Sequence, residues 1–366
     1  MKKFKVDLPF LISVIILIVG GYLIFRSASL GLLSKQPVKY AGVAFNQTVF
    51  GLLLGSIACF ITSKIDYKIY RKYAFFIFLT SIIATLLVFL PSIGFSHGGA
   101  SRWIRIAGVS FQPSEFLKIG FIIFLSAWMA SVKDRVQNIK YGLIPFVVVT
   151  LIVGIVLLIQ PDTDTFIITA FAGLAIYLSA GGRWKHILVM GLIAILGVGI
   201  LAYTRPYVKA RITTFINPAH DSLGSGYQIQ QSLIAIGSGG FFGRGFGQSI
   251  QKFSVLPEPI GDSIFAVASE EFGFIGAVTI ILLFIFFCVR GLKIASRVPD
   301  SFGRLMVVGI VIMIGTQAFV NIGAMVGVLP LSGITLPFIS HGGTALFMTL
   351  AEVGIILNIS KYRKTN

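Results

Sequence analysis

Residues 256–290 read LPEPIGDSIFAVASEEFGFIGAVTIILLFIFFCVR, a stiff polar turn running straight into an apolar stretch long enough to cross a bilayer. Asp262 sits at the lip of that stretch, Glu258 precedes it, and Glu270 and Glu271 follow two turns further in. Carboxylates in such places are expensive unless something pairs with them or uses them. The passage therefore raises two questions, how many such spans the chain has and what Asp262 does.

Apolar runs recur from one end of the sequence to the other. The 366 residues are 56% hydrophobic and 12% charged, and the mean hydropathy is +0.92, whereas about a quarter of a soluble domain is charged. With about 20 apolar residues per span, helices are expected near 8–26, 43–63, 73–91, 116–132, 141–160, 164–181, 186–203, 264–290, 305–326 and 342–360. The expected fold is all-α, a polytopic membrane protein with about ten transmembrane helices, read as one domain over 1–366 because no charged or Pro/Ser-rich linker divides it. A long outer loop, about 204–263, separates the seventh helix from the eighth. Tyr203, Tyr207, Phe215, Tyr227, Phe241, Phe242, Phe246 and Phe253 argue against disorder there and for short amphipathic or re-entrant helices.

A net charge of +17 would suggest nucleic acid on a soluble protein. Here the basic residues fall in alternate loops: Lys2, Lys3 and Lys5; Lys64, Lys68, Arg71 and Lys72; Lys133, Arg135 and Lys140; Arg183 and Lys185; Arg290, Lys293, Arg297 and Arg304; Lys361, Arg363 and Lys364. That is the positive-inside pattern, with both termini cytoplasmic and no nucleic-acid partner implied. Glu115, Asp162, Asp164, Asp221, Glu258 and Asp262 fall on the opposite side, so the chemistry is expected at the outer face. The lysine-led first helix resembles a signal peptide but is long enough to span and is read as uncleaved. Cys59 and Cys288 lie within apolar runs and read as packing residues.

Several reaction classes find no support. His97, His186, His220 and His341 are scattered, and no HExxH, Cys/His cluster or G-x-S-x-G occurs. In 235–249, AIGSGGFFGRGFGQS, neither phosphate-loop spacing is present, so its glycines read as backbone bends, or as a cradle in which Arg244 meets a pyrophosphate. Pro113, Ser114 and Glu115 read as a helix start, and Lys118, three residues on, can pair with Glu115. Arg102 and Arg105 add positive charge nearby where a phosphate could bind. Asp262 has two readings, an N-cap for the helix after it or a catalytic base preorganised by Pro257 and Pro259.

Five passages carry a resemblance: RWIRIAGVSFQPSEFLKIG (102–120), QPDTDT (160–165), RITTFINP (211–218), GYQIQQSLIAIGSGGFFGRGFGQSIQKFSVLPEPIGDSIFAVASEEFGFIGA (226–277) and QAFVNIGAMVGVLPLSGITLPFISHGGTAL (317–346). Together they resemble the SEDS proteins, the FtsW and RodA group of peptidoglycan glycosyltransferases, with GFGQSIQKFSVLPE closer to the FtsW branch. The resemblance implies an enzyme that polymerises lipid II into glycan strands at the outer face of the bacterial cytoplasmic membrane, for cell division or shape. It implies inversion at the anomeric carbon and release of undecaprenyl pyrophosphate. The family's catalytic aspartate matches Asp262, and Arg102, Glu115, Lys118, Arg211, Arg244 and Glu258 are candidate substrate-binding residues. No protein metal site is expected, and a divalent cation, magnesium or manganese, is left open as a helper for the pyrophosphate. The implied partners are lipid II, the growing glycan strand, a class B penicillin-binding transpeptidase and other divisome or elongation proteins. A lipid II flippase, using Glu352, Glu270 and Glu271 as a polar path, and a non-catalytic scaffold for a transpeptidase are the alternatives. The chain departs from the usual motifs at Asp164, where glycine is common, and at His341, where tyrosine is.

Overall fold

The computed structural model describes residues 5–90, 93–97, 100–106, 109–204, 206–217 and 224–363. Lys2, Lys3, His220, Asp221 and Lys364 lie outside the described residues. Among the described residues seven helices are long and apolar enough to span: α1 (Leu8–Lys35), α2 (Pro37–Lys64), α4 (Pro113–Gln137), α5 (Ile139–Ile159), α11 (Ile264–Arg297), α12 (Ser301–Met325) and α13 (Gly343–Ser360). Three more, α3 (Ala74–Phe89), α6 (Thr163–Ser179) and α7 (Trp184–Thr204), are apolar as well and fall on the remaining expected positions. The polytopic helical fold expected from the sequence is the one observed.

Capping and proline placement explain several helix starts. The Asp7 carboxylate accepts from the Phe10 N–H at 3.1 Å, Asp300 does the same for Gly303 at 3.0 Å, and proline opens α4 at Pro113. α2 contains a π-helical stretch, Asn46–Leu54, and its Gly51 and Gly55 let it close against Gly343, Phe347 and Leu350 of α13. α12 and α13 form the centre: Phe302, Met306, Ile310, Ala318, Val353 and Ile356 are inaccessible. α7 lies at the periphery, with Leu188, Leu192, Leu196 and Ile200 exposed as lipid-facing side chains would be.

Residues near the two ends of the chain meet at one end of the bundle. Asp7 is buried; its carboxylate accepts from Arg290 Nε and Nη2 at 2.8 Å and pairs with Arg363, and its N–H donates to the Ser360 hydroxyl at 3.2 Å. α1 is thereby tied to α11 and α13.

The outer segments hold the departures from expectation. The first is not wholly irregular: Gly94–His97, Ala100–Ile106 and Val109–Phe111 form β1, β2 and β3 of an antiparallel sheet, with Phe95 opposite Trp103 and Ile104 opposite Phe111. The long outer loop folds as α8 (Pro206–Ile216), α9 (Ser225–Ser238) and α10 (Gln251–Ser254), in line with the short helices anticipated. Its glycine-rich turn packs into a break in α11, where Gly273 takes φ 65° and any Cβ would collide with the Gly243 nitrogen. A re-entrant segment, 331–342, dips back between the spans: Phe338 packs on Phe284 and Phe287, ring centroids 6.4 and 5.9 Å apart, and Gly21 closes on the Phe338 carbonyl.

Candidate active site

Asp262 lies in the turn between Glu258 and α11. The Glu258 carbonyl accepts from the Gly261 and Ser263 N–H groups at 3.1 and 3.2 Å, and Glu258 itself takes the rare φ of 45° between two prolines. This winding carries the helix start one residue past the aspartate. Ser263 is the N-cap of α11 and makes no side-chain capping bond, so of the two readings of Asp262 the helix cap is not met. The Asp262 side chain is half-buried, and among the described residues no donor reaches its carboxylate. Burial, first, and then the Glu258 and Asp164 charges push its carboxyl up to about 7, against the pull of the Arg211 and Arg102 guanidiniums.

The two cations whose field reaches Asp262 are held by neighbouring carboxylates. Arg211, on α8, bonds both Asp164 oxygens at 2.8 Å. Arg102, on β2, donates to the Gln160 carbonyl at 3.3 Å and to the Pro161 carbonyl, and lies 3.6 Å from Asp162. Asp162 is buried with its Oδ2 unbonded, and burial holds its carboxyl above the usual range despite Arg102. The sheet serves to bring Arg102 here: alternation along β2 turns Ile104 to the buried face with it, while Arg105 is exposed.

Lys118 and Glu115 pair at 2.9 Å, both buried, as their spacing suggested. Lys118 also donates to Gln317 at 3.0 Å, and the Gln317 amide donates to the Thr335 carbonyl at 3.0 Å, tying α4 to the re-entrant segment. Arg244 is placed elsewhere. It pairs with Glu270 at 3.3 Å in the glycine-rich turn, and Glu270 also accepts from Ser249 at 2.6 Å and from the Ile250 N–H at 3.0 Å. Beside it Glu271 takes Lys252 at 2.5 Å and the Ser27 hydroxyl at 2.6 Å, all buried. Glu270 and Glu271 thus lock the loop to α11 and α1. Among the described residues no group of three or more His, Cys, Asp or Glu comes together to hold a metal.

A half-buried carboxylate without donors, poised near neutrality and facing two cations, can accept a proton next to a developing anion. The comparisons identify the setting. The sequence model of the FtsW, RodA and SpoVE cell cycle proteins matches residues 8–365. The chain belongs to this family. Stage V sporulation protein E of Bacillus subtilis (strain 168) is 38% identical over 363 residues, 99% of each chain. A probable peptidoglycan glycosyltransferase FtsW of Geobacter sp. (strain M18) is 37% identical over 356 residues, 97% of this chain and 96% of the relative. Among solved structures, a chain from a peptidoglycan synthase complex that coordinates polymerization and crosslinking superposes with TM-score 0.81 at 26% identity, over 98% of this chain and 99% of that one. The rod shape determining protein RodA of Thermus thermophilus gives 0.70 at 26% identity, over 99% and 98%.

Two pairings of this SEDS chain escaped the sequence. Asp164 reads from sequence as one of the acidic residues opposite the basic loops and as a departure from the usual glycine, and its partner Arg211 is 47 positions away. The bonds that hold the Asp262 turn come from Asn321 and Ser340, polar residues set among apolar ones, and a lone buried asparagine in a span was the one visible hint.

Proposed function

We propose that this chain is a peptidoglycan glycosyltransferase that polymerises lipid II at the outer membrane face, with Asp262 as its general base. The observation that carries the assignment is the Asp262 carboxylate itself: free of donors among the described residues, half-buried, and raised to about 7 in a family of probable glycosyltransferases. The acceptor hydroxyl oxygen attacks the anomeric carbon of the donor sugar, and the bond from that carbon to the pyrophosphate breaks. The hydroxyl proton passes to Asp262, and undecaprenyl pyrophosphate leaves with the electron pair. Attack opposite the leaving group inverts the centre in a single step.

Arg211 and Arg102 are the cations best placed to meet the developing charge on the pyrophosphate, with Arg244 further along the loop. Glu115 and Lys118 hold α4 against the segment beneath the site, and Glu258 adds negative charge that keeps Asp262 basic. The termini lie in the cytoplasm, and a transpeptidase partner supplies the crosslinking.

Purified protein given lipid II in detergent tests this reading. Asp262→Asn should lower polymerisation by about 100-fold or more, the usual weight of a general base. Wild-type rates in that variant would remove Asp262 from the chemistry, and lipid II movement in vesicles with no glycan formed would point to a flippase.

A further inference from the structure

Three successive carbonyls of the Asp262 turn are bonded from outside α11, whose one bond back to them is the longer one from the Ile264 N–H to the Gly261 carbonyl at 3.4 Å. The Ile260 carbonyl accepts from the His341 N–H at 2.7 Å, the Gly261 carbonyl from the Ser340 hydroxyl at 2.8 Å, and the Asp262 carbonyl from the Asn321 amide at 2.9 Å. The same Asn321 amide donates to the Ile334 carbonyl at 2.7 Å, and the Ser340 hydroxyl accepts from the Leu336 N–H at 2.7 Å. Gln47 fixes the far side of the segment, donating to the Ser340 carbonyl at 3.1 Å and accepting from the Gly342 N–H at 2.9 Å. Ser340 and Gln47 are buried and Asn321 is inaccessible.

We infer that Asn321 and Ser340 are positioning residues that aim the Asp262 carboxylate through its backbone, with the re-entrant segment 331–342 as their anvil. Fixing the carbonyls on both sides of the Asp262 residue fixes its two peptide planes, and so the direction of its Cα–Cβ bond. A carboxylate can be aimed in two ways. Donors on its own oxygens would hold it, but they would stabilise the anion and occupy the lone pairs that must take the proton. Holding the carbonyls instead gives the same direction and leaves both oxygens basic and open, which is the state observed. Neither Asn321 nor Ser340 touches the reacting atoms in this arrangement.

This inference rests on Asp262 as base, and the experiment separates the two. Ser340→Ala, Ser340→Thr and Asn321→Leu are compared with wild type and with Asp262→Asn for lipid II polymerisation as kcat and KM, over pH 5–9, with thermal midpoints alongside. Misplacement of a base by about 1 Å costs about 100-fold, so Ser340→Ala and Asn321→Leu should lose about 10- to 100-fold in kcat with KM within about twofold. Their acid limb should also move to lower pH, because a loosened carboxylate gains water. Ser340→Thr, which keeps the hydroxyl, should recover most of the rate. If Asn321→Leu does not fold, the Ser340 pair decides alone. Unchanged kcat and pH limb in Ser340→Ala, or loss of rate only in step with the thermal midpoint, would overturn the positioning role while leaving the base intact. An active Asp262→Asn would overturn both.

Discussion

Asp262 combines an unbonded carboxylate with a backbone bonded at every neighbouring carbonyl, and that division has consequences for pH. Its carboxyl titrates near 3.8 when unperturbed and near 7 in the fold. Only the ionised form can accept a proton, so the rate should rise through an acid limb with a midpoint near 7, read from kcat/KM against pH. Stability runs the other way. Between the two values the folded chain holds the proton more tightly than the unfolded one, so folding weakens as pH rises through that window and the cost is complete above it. Asp262→Asn removes the cost: its thermal midpoint should exceed that of wild type by a few degrees at pH 8 and match it below pH 4. The aspartate was legible in the sequence as a carboxylate at a membrane lip, and two roles fitted it equally. The cap reading failed because Glu258 draws the Ser263 N–H into its own turn, a choice of winding that no residue type announces.

Among the elements, the glycine-rich loop and α11 are joined by charge inside the protein. Lys252 and Glu271 are both fully buried and 2.5 Å apart, with Ser27 of α1 bonded to each. Removing one partner strands the other, so Lys252→Met or Glu271→Leu should each destabilise by about 3–5 kcal/mol, and the double variant should lose much less than the sum. Thermal or denaturant unfolding of the three variants in one detergent measures this. Spans were legible because hydropathy reports directly on what a bilayer accepts: α5, expected near 141–160, is Ile139–Ile159. Sheet and re-entrant segment were not. A strand of β2's length shows its alternation only weakly, and the 331–342 backbone enters because protein contacts at Phe284, Phe287 and Gly21 receive it, which lies in other parts of the sequence.

For the whole molecule, loop charge gives an orientation that labelling can check. In a background without Cys59 and Cys288, Lys209→Cys on α8 should react with a membrane-impermeant maleimide added outside intact cells, and Lys133→Cys in the last turns of α4 should react only once the membrane is opened; both positions are exposed. The reverse pattern would invert the assignment of the Asp262 side. The meeting of Asp7 with Arg290, Ser360 and Arg363 bears on how the molecule is made. During synthesis α1 enters the bilayer ahead of α2 to α13, carrying a carboxylate at one end and Ser27 near the other, and the groups that engage them arrive more than 200 residues later, from 252 onward. Until then α1 waits in lipid with neither end engaged. Release from the insertion machinery and closure of the bundle are therefore separate events, and the site around Asp262 comes into being only at the second, when the last helix brings Ser340 and its neighbours into place.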